Sequence, residues 1–103
     1  MKPQPNIHVG GYRQVVPQQI IRLEADRNYT HIFQADGRKF LVSVTLGIIE
    51  ERLRPYGFLR ITRSDVINPH YIRKISQQGI VQLTDGTLIY SSRRRKKVLP
   101  QYA

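Results

Sequence analysis

Short apolar runs, each cut off by a glycine or proline turn, set the strongest limit on how this chain folds. Gly10-Gly11, Asp36-Gly37, Gln78-Gly79 and Asp85-Gly86 punctuate the sequence, and the extended runs beside them are short. Connections this short join antiparallel neighbours, because a parallel crossover needs a dozen residues or more. The spacing predicts strands over 7–9, 12–16, 20–25, 28–34, 39–44, 58–62, 72–76, 80–84 and 88–91, with a bend at Asp26-Arg27. Asp36-Gly37 suggests a type I′ hairpin turn, in which both central residues need positive φ.

One segment breaks the pattern. Leu46, Ile48, Ile49 and Leu53 fall near helical spacing, with Glu50, Glu51 and Arg52 outside them. Thr45 stands where a helix N-cap is expected, its hydroxyl able to accept from free amides. Pro55 and Gly57 stop the helix. Val66 to His70 suggests a single helical turn, limited by Pro69. The expected fold class is mostly β: short antiparallel sheets with one short helix. With 103 residues, one domain with one core is expected over 7–103. Residues 1–6, polar and holding Pro3 and Pro5, suggest a disordered start.

Charge narrows the function. Lys and Arg number 17 against 7 Asp and Glu, a net charge of +10. Without Arg93 to Lys97 twelve cations would still face seven anions, so the excess is spread along the chain and peaks near the C-terminus. This balance favours a polyanionic partner. A basic surface without a partner is the plain alternative. There is no cysteine, which excludes disulfides, thiolate zinc sites and cysteine nucleophiles. No apolar run is long enough for a bilayer span, and MKPQPNIHVGG lacks the core of a signal peptide.

Two blocks concentrate the charge. In SSRRRKK (91–97), Arg93 to Lys97 directly follow a strand and precede Val98 and Leu99, which are apolar enough to be buried. That placement argues against a free basic tail. Guanidinium groups bond bidentately to phosphate or to the guanine edge. In FLRITRSDVIN (58–68), Arg63 suits a base or a phosphate, while Ser64 suits a phosphate or a turn cap. Arg60 suits either a brace or a backbone contact. Asn68 before Pro69 is a turn former by its own chemistry. Tyr29 is expected in the core or at its rim, and only one of Thr30 and His31 is able to face a ligand, since they alternate across a strand.

Catalytic chemistry finds little support. Glu24 with Asp26, and Glu50 with Glu51, form no persuasive acid and base pair. His8, His31 and His70 lack metal-ligand spacing. No phosphate-cradling glycine loop is present. No cofactor, metal or small-molecule substrate is expected, and no enzyme activity.

Four blocks in order, IIRLEADRNYT (20–30), DGRKFLVSVTLGIIEERL (36–53), FLRITRSDVIN (58–68) and LTDGTLIYSSRR (83–94), resemble the LytTR DNA-binding domain of bacterial response regulators, over about residues 18–99. The resemblance implies an elongated fold of short antiparallel sheets whose loops, rather than a recognition helix, enter successive major grooves. It implies base readout near Thr30 and His31 and at Arg63 and Arg93. Phosphate contacts are implied near Arg60, Ser64, Arg94, Lys96 and Lys97. The expected partner is double-stranded DNA carrying paired direct repeats, one domain per repeat, with a homodimer on the paired site, in the bacterial cytoplasm and away from membranes. Two departures stand out. Thr62-Arg63-Ser64-Asp65 replaces the family's His-Arg-Ser before an aromatic, so Asp65 either points inward to pair with an arginine or accepts from a cytosine amino group. No receiver domain precedes the match, which suggests a stand-alone regulator or a piece of a longer one. The competing classes are an RNA- or single-strand-binding β module and a basic protein-interaction module. Against the first, Tyr12, Tyr29, Phe33, Phe40, Tyr56, Phe58, Tyr71 and Tyr90 occupy positions expected in the core rather than on an aromatic platform.

Overall fold

In the computed structural model the backbone is described for residues 7–10 and 13–99, and the side chains for 14–97 and 99. The expectations for residues 1–6, for Tyr12 and for the side chain of Val98 lie outside the described residues. The chain forms β1 (Ile7–Gly10), β2 (Arg13–Val15), β3 (Ile20–Asp26), β4 (Tyr29–Gln34) and β5 (Lys39–Val42), then α1 (Leu46–Leu53). It continues with β6 (Leu59–Arg60), β7 (Asp65–Ile67), β8 (Ile72–Ile75), β9 (Ile80–Leu83) and β10 (Leu88–Tyr90). Every pairing is antiparallel. The sheets are a ribbon of β1-β2, a three-stranded β10-β9-β8 and a five-stranded β5-β4-β3-β7-β6.

Three hairpin turns share one construction. In 34–38, 76–80 and 83–87 the first residue's amide donates to the fifth residue's carbonyl, 2.9 Å in each, and the glycine amide donates back to the first residue's carbonyl. Gly37, Gly79 and Gly86 have φ of 89°, 85° and 93°. This is the three-residue loop ending in a left-handed residue, where glycine carries no Cβ penalty. Asp36 does not have positive φ, so its turn is not type I′ as expected.

The one long strand feeds two cores. In β3 the register slips between Ile20 and Arg22, so two residues oppose one on β4. The extra residue turns Ile21 to the opposite face from Ile20 and Leu23. Ile20 and Leu23 join Ile32, Val42, Phe58 and Val66 under α1, which contributes Leu46, Ile49 and Leu53. Ile21 joins Ile61 and Ile67 against Val81, Leu83, Ile89 and Leu99 from the three-stranded side. The five-stranded sheet is thus covered by a helix on one face and, in part, by a second sheet on the other.

Three local expectations are corrected. Ile48 is 47% exposed, because the buried stripe of α1 is Leu46, Ile49 and Leu53. Thr45 is the N-cap residue, but its hydroxyl caps nothing; its carbonyl accepts from Ile48 and Ile49. Val66 to His70 is not a helical turn: β7 pairs with Arg22 to Glu24, and a 3-10 turn follows at Pro69–Tyr71. Long-range pairing of two β-branched residues prevails there over the local pattern. Among the described residues no helix is long and apolar enough to cross a membrane.

Candidate nucleic-acid interface

Strand pairing and one main-chain hydrogen bond bring three separate stretches to one end of the molecule. β3 runs toward the turn at Arg27-Asn28, and Glu24 pairs with Asp65 of β7. The residues before Asp65 therefore extend past the same end, where Ala25 donates its amide to the Ser64 carbonyl (2.8 Å). On the other side, the Ser92 amide donates to the Ile61 carbonyl (2.8 Å), which brings the basic segment alongside. The two charged blocks, thirty residues apart, become neighbours.

The loop 61–65 is held by its main chain. Its five carbonyls accept in turn from the Ser92 amide, Arg95 Nη1 (2.9 Å), Arg60 Nη2 (2.5 Å), the Ala25 amide and the Ile61 amide. Inside it, the Thr62 hydroxyl donates to Asp65 Oδ2 (2.6 Å) and accepts from the Ser64 amide (3.0 Å). Asp65 thus pairs inward, with a hydroxyl rather than with an arginine. The side chains of Arg63 and Ser64 are left exposed. Arg60 is not free to meet DNA as expected. Its Nη1 pairs with Glu50 Oε1 of α1 (2.9 Å), its Nη2 holds the Arg63 carbonyl, and its Nε is buried. It braces the loop against the helix.

The basic segment is an ordered turn. Leu99 beyond it is 1% exposed, within the second core. The Arg95 and Lys96 amides donate to the Ser92 carbonyl at 3.1 and 2.9 Å. Ser91 is fastened to the β8-β9 turn by its amide and its hydroxyl, both donating to the Gly79 carbonyl. A Cβ on Gly79 would stand 3.1 Å from the Lys96 stem, so that stem rests on the turn. Arg93, Arg94, Lys96 and Lys97 are exposed, whereas Arg95 is half-buried.

The β3-β4 turn corrects one expectation and adds a residue. Thr30 is fully buried and its hydroxyl donates to the Val44 carbonyl (2.7 Å), so it has no access to a base. Its alternation partner His31 is half-buried on the other face, with Nε2 3.1 Å from Asp26 Oδ2. That contact stiffens a two-residue turn, since Asp26 pairs with Tyr29. Arg27 at its tip is exposed with φ 57°, the one described non-glycine residue at positive φ. The other three turns place glycine where φ is positive. A side chain there costs about 1–2 kcal/mol, and backbone strain of this kind gathers at functional sites. The absence of glycine between two alternating runs was the signal in the sequence for Arg27.

The carboxylates near this end are occupied. Glu24 pairs with Arg22 (3.0 Å), Asp26 with His31 and Glu50 with Arg60. Among the described residues, Arg27, Arg63, Arg93, Arg94, Lys96 and Lys97 enter no ion pair. Asn68, read as structural, is so: it is 2% exposed and bonds the carbonyl of Ile20 and the amide of His70. Two aromatics expected inside are outside, Tyr29 at 47% exposed and Tyr90 at 69%.

The chain and its fold are similar to those of known proteins. The chain is 31% identical, over 92% of its length, to uncharacterized HTH-type transcriptional regulators of Staphylococcus aureus strains NCTC 8325 / PS 47 and COL. It spans 63% of the length of those relatives. The helix-turn-helix of their name is not found in the described residues here, which hold a single α-helix of eight residues. The fold matches the LytTr DNA-binding domain of a Bacillus cereus protein assigned as a methyl-accepting/DNA response regulator. That match has a TM-score of 0.75 and 18% identity, and covers 99% of this chain and 97% of that one. The family model for the LytTr DNA-binding domain matches residues 10–103, and the chain belongs to that family.

Proposed function

We propose that this domain binds duplex DNA with sequence preference and regulates transcription in the bacterial cytoplasm. The observation that carries the reading is the main-chain bonding of three cation-tipped loops at one end of the fold, Ala25 to Ser64 and Ser92 to Ile61. In this reading Arg63 and Arg93 read base edges, and Arg27 takes the place expected for Thr30, on a turn that His31 stiffens through Asp26. Ser64, Arg94, Lys96 and Lys97 meet phosphates, supplying affinity and register rather than sequence information. The sites are paired direct repeats with one domain on each, and a homodimer forms on the paired site. The activity is binding, without catalysis, and needs no cofactor or membrane.

Selection from random duplex DNA, followed by anisotropy on the enriched site and a scrambled control across a salt series, tests this. An enriched motif bound far tighter than the control, with both weakening as salt rises, is the expected result. Steep salt dependence with no enriched motif overturns sequence preference. Tyr90, exposed three residues before Arg93, favours a second reading, a single-strand binder that stacks bases on aromatic rings. Single-stranded competitor displacing the duplex at equal concentration would favour it.

A further inference from the structure

Arg95 stands apart within the run of five cations. It is half-buried while its four neighbours are exposed, and it spends Nη1 on the Thr62 carbonyl (2.9 Å) of a loop 33 positions away. Thr62 is also the residue whose hydroxyl ties to Asp65 and receives the Ser64 amide. The residue on each side of Arg63 in the loop, and the carbonyl of Arg63 itself, is therefore fixed by a bond to something else. Arg63 keeps only its side-chain torsions. Holding a binding group in its productive geometry before the partner arrives removes ordering that binding would otherwise have to impose.

We propose that Arg95, acting with the Thr62–Asp65 pair, is a positioning residue that clasps the 61–65 loop to the basic turn. Arg63 and Arg93 then approach DNA as one rigid unit. The roles of those two arginines rest on the reading above; the clasp itself does not. Arg95 is then no phosphate contact, and Asp65 shapes the loop rather than reading a base. Discrimination between sequences depends on Arg95, while the sequence-independent attraction depends on Arg94, Lys96 and Lys97.

The test has an arm without DNA and an arm with it. Amide hydrogen exchange on the free protein follows Ser92, Ser64 and Asp65. Arg95→Ala is expected to speed their exchange about tenfold, the loss of one good hydrogen bond, and Arg95→Lys, whose ammonium also suits a single carbonyl, to restore most of it. On DNA, Arg95→Ala is expected to cut the preference for the selected site over the scrambled control about tenfold with the salt slope unchanged. Arg94→Ala is expected to do the reverse, lowering the slope by about 0.9 while keeping the preference. Asp65→Asn keeps an acceptor for Thr62 and is expected to keep the preferred sequence. Unchanged exchange in Arg95→Ala overturns the clasp, as does a slope that falls with preference intact. A changed preferred base in Asp65→Asn overturns the shaping role of Asp65. A wild-type protein with no preferred duplex would instead overturn the proposed function, and the exchange arm would still decide the clasp.

Discussion

Thr30 shows how a single residue's role turns on one hydrogen bond. Its neighbours alternate across β4, and alternation alone allowed either Thr30 or His31 to face outward; the buried bond to the Val44 carbonyl decides it. Thr30→Val is expected to lower stability by about 1 kcal/mol, since it leaves that carbonyl unpaired. DNA affinity should be unchanged at a temperature where the protein stays folded; denaturant melts and anisotropy check the pair of outcomes. Arg93→Ala is expected to weaken binding to the selected site by about 1–3 kcal/mol and to random duplex by less. Equal loss on both in the same titration would remove it from base readout. Asn68 and the exposed cations were legible in the sequence because turn chemistry and an unpaired run are local properties. For Arg60 a brace was one of two open readings, and Arg95 gave no sign of its role, because Glu50 and Thr62, the partners that claim them, come near only through the fold.

Elements follow the same division. The hairpins were legible from their glycines, and α1 from its period, because both signals lie within a few residues. The local pattern at β7 suggests a helical turn instead, since its partner, β3, lies about forty residues earlier. The basic turn gains its order from an element with no charge of its own, the β8-β9 turn under Lys96. Gly79→Ala sets a side chain at φ 85° and a Cβ 2.6 Å from Ser91 Oγ. It is expected to destabilise the domain by about 1–2 kcal/mol from the left-handed backbone alone. It should also weaken DNA binding beyond what the lower stability explains, by lifting the turn that carries Arg93 to Lys97. Gln78→Ala, in the same turn at an exposed position, serves as the control in both melts and titrations.

Across the whole molecule the net charge is +10, and among the described residues Arg27, Arg63, Arg93, Arg94, Lys96 and Lys97 stand on the loops of one end without an ion pair. The described carboxylates beside the loops are spent on internal pairs, so the unpaired cations dominate the end that the proposed interface occupies. Removing a cation that meets a phosphate should lower the slope of log affinity against log salt by about 0.9. Lys97→Ala is expected to do so equally on selected and scrambled duplexes, read from anisotropy across a salt series. The extra residue in β3 governs how the domain comes apart. One strand supplies Ile20 and Leu23 to one core and Ile21 to the other. Neither core is able to melt while the other keeps that strand in place. Heating should therefore give one transition, with calorimetric and van't Hoff enthalpies equal. The cell's proteases would then meet this domain either wholly folded or wholly open.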